Sequence, residues 1–184
     1  LTQTEKNYLS RSIRPKLIAA RIVTDQNILS KLNNPISEHL IEYNLDHYGF
    51  PMFRTNTKKQ KIISLEELIA KIITEQPKAR YIEAIPVLLI KNNIDNYKLV
   101  ELALKNNIGN KLGYLIEIAY MLDDKDNFKD ILNYFKNNKS SELKTLSDGD
   151  ENFLIKTSPK RLKRWNLLGR FFDEDFKKLA EVYL

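Results

Sequence analysis

The sequence predicts a mainly α protein made of antiparallel helical-hairpin repeats, and three observations carry that reading. The segments IDNYKLVELALKNN (94–107) and KDNFKDILNYFKNN (125–138) repeat about 31 residues apart, a period typical of stacked helical units. Asp95, Asn96, Lys98, Lys105, Asn106 and Asn107 recur as Asp126, Asn127, Lys129, Lys136, Asn137 and Asn138, and Tyr97 and Val100 recur as Phe128 and Ile131. A fainter copy is ISLEELIAKIITEQ (63–76). The second observation is apolar residues at helical spacing through most of the chain; the third is short connections marked by Asn, Gly and Pro. A helix with one apolar stripe must stack on its neighbours, which is why such units repeat.

In order along the chain, 1–62 reads as an N-terminal helical subdomain. Thr4 caps a short helix over 5–11, Pro15 opens one over 16–23, and Thr24 and Asp25 cap one ending at Leu32. After Asn33-Asn34-Pro35, residues 37–48 form an amphipathic helix with Leu40, Ile41, Tyr43, Leu45 and Tyr48 at helical spacing. Gly49 ends it and Pro51 forbids its continuation. FPMFRTNTKKQKII (50–63) sets β-formers around a polar centre, the pattern of a small hairpin or wing.

The second unit, 63–138, is the hairpin module. Ser64 and Glu67 form a capping box for a helix reaching Gln76. The next helix, through ARYIEAIPVLLIKNN, should kink near 83–85 because Pro86 interrupts it, and its Val87–Ile90 run predicts deep burial. Asp95 caps 96–107, the chain turns over 107–109, and 110–122 is the partner helix; Asp124 or Asp126 caps 127–138. The third unit, 139–184, is a small strand-plus-helix cap. SSELKTLSDGDEN reads as a surface loop and FLIKT (153–157) as a strand. Asp173 caps a closing helix with Phe176, Leu179, Val182 and Leu184 on its apolar side.

Composition narrows the function. A content of 42% hydrophobic and 29% charged residues is that of a globular chain, and 184 residues are enough to bury a core without disulfides. No cysteine means no disulfide, thiolate metal site or cysteine nucleophile, in keeping with a reducing cytoplasm. No apolar run is long enough to span a membrane. The net charge of +6 biases the chain toward polyanions, though its Lys- and Asn-rich composition accounts for such a bias equally well.

Catalytic patterns are missing. His39 and His47 stand eight apart, wider than the usual metal spacing of four. Glu66, Glu67, Glu83, Asp123, Asp124 and Asp126 fall where helix caps and first turns favour negative charge. The five glycines are scattered, so no phosphate loop or dinucleotide fingerprint can be written, and there is no G-x-S-x-G elbow. These absences point to a protein that is not an enzyme and has no metal, cofactor or catalytic residues.

The strongest functional candidate is the basic, aromatic stretch 156–172. Lys156, Lys160, Arg161, Lys163, Arg164 and Arg170 are candidate nucleic-acid contacts, because cations neutralise phosphates and exposed aromatics stack on unpaired bases. Trp165 is expected to anchor this stretch in the core instead. Arg54, Lys58, Lys59 and Lys61 form a second, weaker basic set on the wing. Three helices and a basic wing outline a winged-helix DNA reader. The helix directly before the wing (37–48), which would stand third in such a unit and read the groove, however, carries Glu38, Glu42 and Asp46 and no Lys or Arg, which opposes contact with phosphates.

The segment DNYKLVELALKNNIGNKLGYLIE (95–117) resembles the C-terminal module of AbiEi-type antitoxins. Lys111-Leu112-Gly113-Tyr114-Leu115-Ile116-Glu117 matches that family's Arg/Lys-Leu-Gly-Tyr-Leu-Leu-Glu pattern. ISLEELIAKII upstream and Trp165 downstream fall where the family has a short helix and a tryptophan, so the resemblance covers about 63–165. It implies an antitoxin or transcriptional regulator whose N-terminal winged helix binds DNA and whose C-terminal module opposes a nucleotidyltransferase-like toxin. The acidic third helix departs from that pattern. Gly113 within a helix costs about 1 kcal/mol relative to Ala, a cost that marks close helix approach rather than chemistry. Two functions are therefore expected: a cytoplasmic regulator binding DNA or RNA, or a helical-repeat module binding a protein partner.

Overall fold

The computed structural model describes residues 37–51, 59–75, 78–124, 126–146 and 149–184. The three helices expected before Asn33, and the tip of the wing with Arg54 and Lys58, lie outside the described residues. Within them the chain is mainly α: α1 (Glu38–His47), α2 (Leu65–Glu75), α3 (Ala79–Lys91), α4 (Asn96–Lys105), α5 (Gly109–Leu122), α6 (Asp126–Asn137), β1 (Lys144–Thr145), α7 (Glu151–Thr157), α8 (Lys160–Arg164), β2 (Leu167–Leu168) and α9 (Asp173–Tyr183).

Local signals set the helix ends. The Ser37 hydroxyl accepts from the Leu40 amide, and Asp95 accepts from the amides of Tyr97 and Lys98 at 3.0 and 3.1 Å. The Ser64 hydroxyl receives the Glu67 amide at 3.4 Å, while the neighbouring Glu66 carboxylate takes the Asp95 amide and so ties the start of α2 to the cap of α4. Two helices end in the same way. After α1, Gly49 at φ +86° lets the Phe50 and Gly49 amides donate back to Leu45 and Asp46; after α4, Asn107 at φ +54° does so for Ile108 and Asn107, onto Ala103 and Leu104. α3 runs from Ala79 to Lys91 with Pro86 inside it, and Val87, Leu88, Leu89 and Ile90 are buried as the sequence requires.

α2 packs on α4 and α3 on α5, so alternate helices lie against one another, and α6 packs on α5. One core runs from Ile41 on α1 to Phe176 on α9. Repeat positions share burial: Val100 and Ile131 are both enclosed. The copies part at Leu104, which is exposed, and at Phe135, its counterpart, which is buried.

The C-terminal region departs most from the sequence reading. Residues 153–157 are not a strand but belong to α7: Gly149 and Asp150 start a helix there, and the Asp150 carboxylate accepts from the Phe153 amide at 2.8 Å. The strands are β1 and β2, two residues each and parallel, with Lys144 opposite Leu167 and Thr145 opposite Leu168. Between Asn137 and α9 the cap thus holds two short helices and this small sheet. α9 docks on α3 and α5, but through Phe176, half-buried Leu179 and Tyr183. Val182 and Leu184 are exposed, because the real stripe passes through Tyr183, whose ring lies 4.2 Å from that of Phe50. Asp173 does not cap α9 with its side chain; its carboxylate is turned to Arg161.

Candidate functional site

The cap is held to α5 by residues of the 110–117 segment. A Cβ placed on Gly113 would fall 2.3 Å from Trp165 Cζ3 and 2.5 Å from Cη2, so the bare glycine surface is where the indole rests. Trp165 is only 2% exposed, and its Nε1–H donates to Glu117 Oε2 at 2.8 Å, one helical turn beyond Gly113. The Tyr114 hydroxyl donates to the Phe171 carbonyl at 3.3 Å, and burial holds its phenol well above the usual range. Asn110 completes the seat. Its Nδ2 donates to the carbonyls of Ser140 and Trp165 at 2.9 and 2.8 Å, and its Oδ1 accepts from the Ser140 amide at 2.9 Å. A buried Asn satisfied on both ends fixes two separate segments against one helix.

Around Glu117 the cations divide into two groups. Arg161 is structural: it pairs with Asp173 through Nε at 3.1 Å and Nη2 at 2.8 Å, lies 3.7 Å from Glu117, and reaches Met121 Sδ at 3.3 Å. The Asp173 hydrogen bond raises its already high pKa. Lys136 and Arg164 also approach Glu117, at 3.7 and 3.4 Å, but from the exposed side; the Arg164 side chain is 64% accessible. Lys156, Lys160, Lys163 and Arg170 are exposed on α7, α8 and the segment after β2. Of the six basic residues singled out in the sequence, the fold thus leaves Lys156, Lys160, Lys163, Arg164 and Arg170 facing solvent and draws Arg161 into the junction between α5 and α9.

The aromatics sort just as sharply. Trp165 and Phe171 are buried, whereas Phe153 and Phe172 are 49% and 40% exposed. The Arg170 guanidinium lies 5.8 Å from the centre of the Phe153 ring. Reading 153–157 as a strand concealed Phe153; the signal that finds it is Asp150-Glu151, a helix cap followed by a first-turn acid.

Elsewhere, Lys59 and Lys61 of the second basic set lie on the non-helical segment before α2, and the structure describes no strand there. The acidic face of α1 is engaged internally: Glu42 receives the Tyr81 hydroxyl at 2.9 Å and pairs with Arg80, and Glu38 pairs with Lys78. Asn44 on the same helix is fully buried. It donates to the Lys61 carbonyl at 3.0 Å and accepts the Ile63 amide at 2.9 Å. Among the described residues no cluster of His, Asp and Glu has the arrangement of a metal site, and no helix is long and apolar enough to cross a membrane. Comparison with protein-family models, curated proteins and solved structures finds no match to this chain.

Proposed function

We propose that this protein is a non-enzymatic regulator, similar to AbiEi-type antitoxins, that binds nucleic acid through its C-terminal cap. The observation that supports this reading is the exposed set Lys156, Lys160, Lys163, Arg164 and Arg170 on one small, rigidly seated subregion. Exposed cations are available to displace the counterions of a phosphate chain, and Arg164 shares its charge with Glu117 at 3.4 Å. The Lys111–Glu117 heptapeptide supports it in a second way: the residues that carry the resemblance are those that seat the cap. The hairpin-repeat architecture belongs to the same proposal, on the pairing of α2 with α4 and α3 with α5.

The test is fluorescence anisotropy of labelled DNA and RNA across a salt series, for the parent and for a variant with Lys156, Lys160, Lys163 and Arg170 changed to Ala. Arg161 is left intact because its loss would disturb the fold. Removing four phosphate contacts should flatten the log–log salt slope by up to about 3.6 on duplex DNA and about 2.8 on single strands. Absence of binding at low salt, or a variant that binds as the parent does, overturns the reading. The same pairwise helix packing favours a second function, a repeat module with a protein partner, and a complex that survives high salt is its signature.

A further inference from the structure

Most large hydrophobic side chains left exposed on a protein are scattered and need no explanation. On this cap they are organised. Of the exposed large hydrophobics among the described residues, the aromatic ones are Phe153, which Arg170 faces at 5.8 Å, and Phe172, two residues from Arg170 along the chain. The chain is extended at Phe172 (φ −102°, ψ 147°), and exposure alternates: Arg170 and Phe172 outward, Phe171 inward. Arg170 in turn lies over the Phe153 ring. One helical turn along α7 from Phe153, exposed Lys156 continues the line. The stripe is aromatic, guanidinium, aromatic, with a lysine at one end.

We propose that this stripe binds single-stranded nucleic acid, with unpaired bases stacked on Phe153 and Phe172 and the sugar–phosphate chain held by Arg170 and Lys156. The inference rests on the nucleic-acid reading above and narrows it from nucleic acid in general to unpaired strands. In a duplex the base faces are already stacked and unavailable to a flat ring, whereas every unpaired base offers one. The aromatics favour the unpaired strand: a duplex must be unstacked and kinked before a phenylalanine can enter between its base steps, whereas an unpaired base stacks on an exposed ring at no such cost. Trp165 is enclosed against Gly113 and takes no part.

The experiment measures anisotropy with four labelled probes of equal length and one acidic control: single-stranded DNA, single-stranded RNA, the same DNA strand without bases, duplex DNA, and a poly-glutamate peptide. The proteins are the parent and Phe153→Leu/Phe172→Leu, which keeps apolar bulk but removes the rings; Trp165 fluorescence verifies that the cap remains seated. Each ring should contribute about tenfold, so the double variant should bind both unpaired strands about a hundredfold more weakly while its duplex binding is unchanged. The abasic strand should bind the parent as weakly as the base-bearing strand binds the variant. If the Phe variant retains parental affinity for unpaired strands, the stripe is overturned; the broader reading survives that result when the protein with Lys156, Lys160, Lys163 and Arg170 changed to Ala, measured beside it, loses affinity. Tighter binding of duplex than of single strands, or equal binding of poly-glutamate, also overturns the stripe. If no nucleic acid binds at low salt, both readings fall.

Discussion

Replacing Gly113 with Ala should destabilise the protein, against the ordinary expectation for a glycine inside a helix. In an open helix the substitution stabilises by about 1 kcal/mol. Here the new methyl would stand 2.3 and 2.5 Å from the indole edge of Trp165 and 3.0 Å from Phe135 Cβ, so it is closed in from two sides. The ring cannot retreat freely, because it is buried and its Nε1–H is tied to Glu117 at 2.8 Å. Overpacking of this kind costs about 1–3 kcal/mol. With contact on both sides the upper end applies, and the net loss is about 2 kcal/mol. For a chain of this length that lowers Tm by about 4–8 °C. Trp165 is the only tryptophan, so its emission reports the seat directly: in G113A it should shift to the red and become open to acrylamide quenching. A second background reverses the sign. With Trp165→Leu the crowding is gone, and adding Gly113→Ala should be neutral or stabilising in urea titrations. A G113A protein as stable as the parent with unchanged emission would refute the close-packing argument.

Asn110→Ala should be among the most damaging polar substitutions. It strands the Ser140 amide and the Trp165 carbonyl, while the Ser140 carbonyl keeps the Asn166 side-chain amide, costing about 2–3 kcal/mol by chemical denaturation and loosening the cap before the rest of the chain. Asn107→Ala should lose about 1 kcal/mol, because φ +54° suits Asn or Gly and not a plain Cβ, while Asn107→Gly should hold or gain stability. Glu83 gives a pH-dependent case. Burial, with a smaller effect from Asp175, raises its pKa, so its contribution to stability is full below the ordinary carboxylate pKa and is lost as pH rises through the folded value. Glu83→Gln should therefore raise Tm at pH 7 and make no difference below about pH 4; a stability gain that is flat with pH would exclude this account.

The sequence disclosed most where structure is set by local chemistry. Ser37, Asp95, Gly49 and Asn107 act within a turn of their own position, so their side chains and backbone preferences announced the helix ends directly. Burial of Val87 to Ile90 followed from an unbroken apolar run. The cap was less legible because its elements are too short for periodicity to speak. FLIKT has strand-forming residues, and only the Asp150 cap and its seating through Leu154 make it helical. Strands of two residues carry no pattern at all. Tertiary partners left the weakest trace. Nothing local distinguishes Arg161 from Lys160 or Lys163, yet one is spent on Asp173 while the others face water. Asn44 and Asn110 resemble the many other asparagines until their backbone partners, Lys61, Ile63, Ser140 and Trp165, are brought beside them.

Gly113, Tyr114 and Glu117 carry the one specific sequence resemblance, and none of them lies on the exposed basic stripe; each instead meets the cap from below, at Trp165, Phe171 and the Arg161–Arg164 pair. A motif that makes only structural contacts bears on the proposed nucleic-acid surface because the cap it seats carries that surface. Glu117 shows the coupling most clearly. A single carboxylate receives the indole N–H and lies within reach of Lys136, Arg161 and Arg164. It orients the ring that anchors the cap and at the same time neutralises part of the charge beneath it, leaving Lys156, Lys160, Lys163 and Arg170 as the cations available to a polyanion. A Glu117→Gln protein separates the two effects, since the amide oxygen can still accept from Trp165 while the negative charge is gone. Its cap should stay seated by tryptophan emission, and its affinity for nucleic acid should rise with a steeper salt slope, because Arg164 and Lys136 are released toward the phosphates. Unchanged emission with unchanged affinity would show that the cations around Glu117 serve the fold alone.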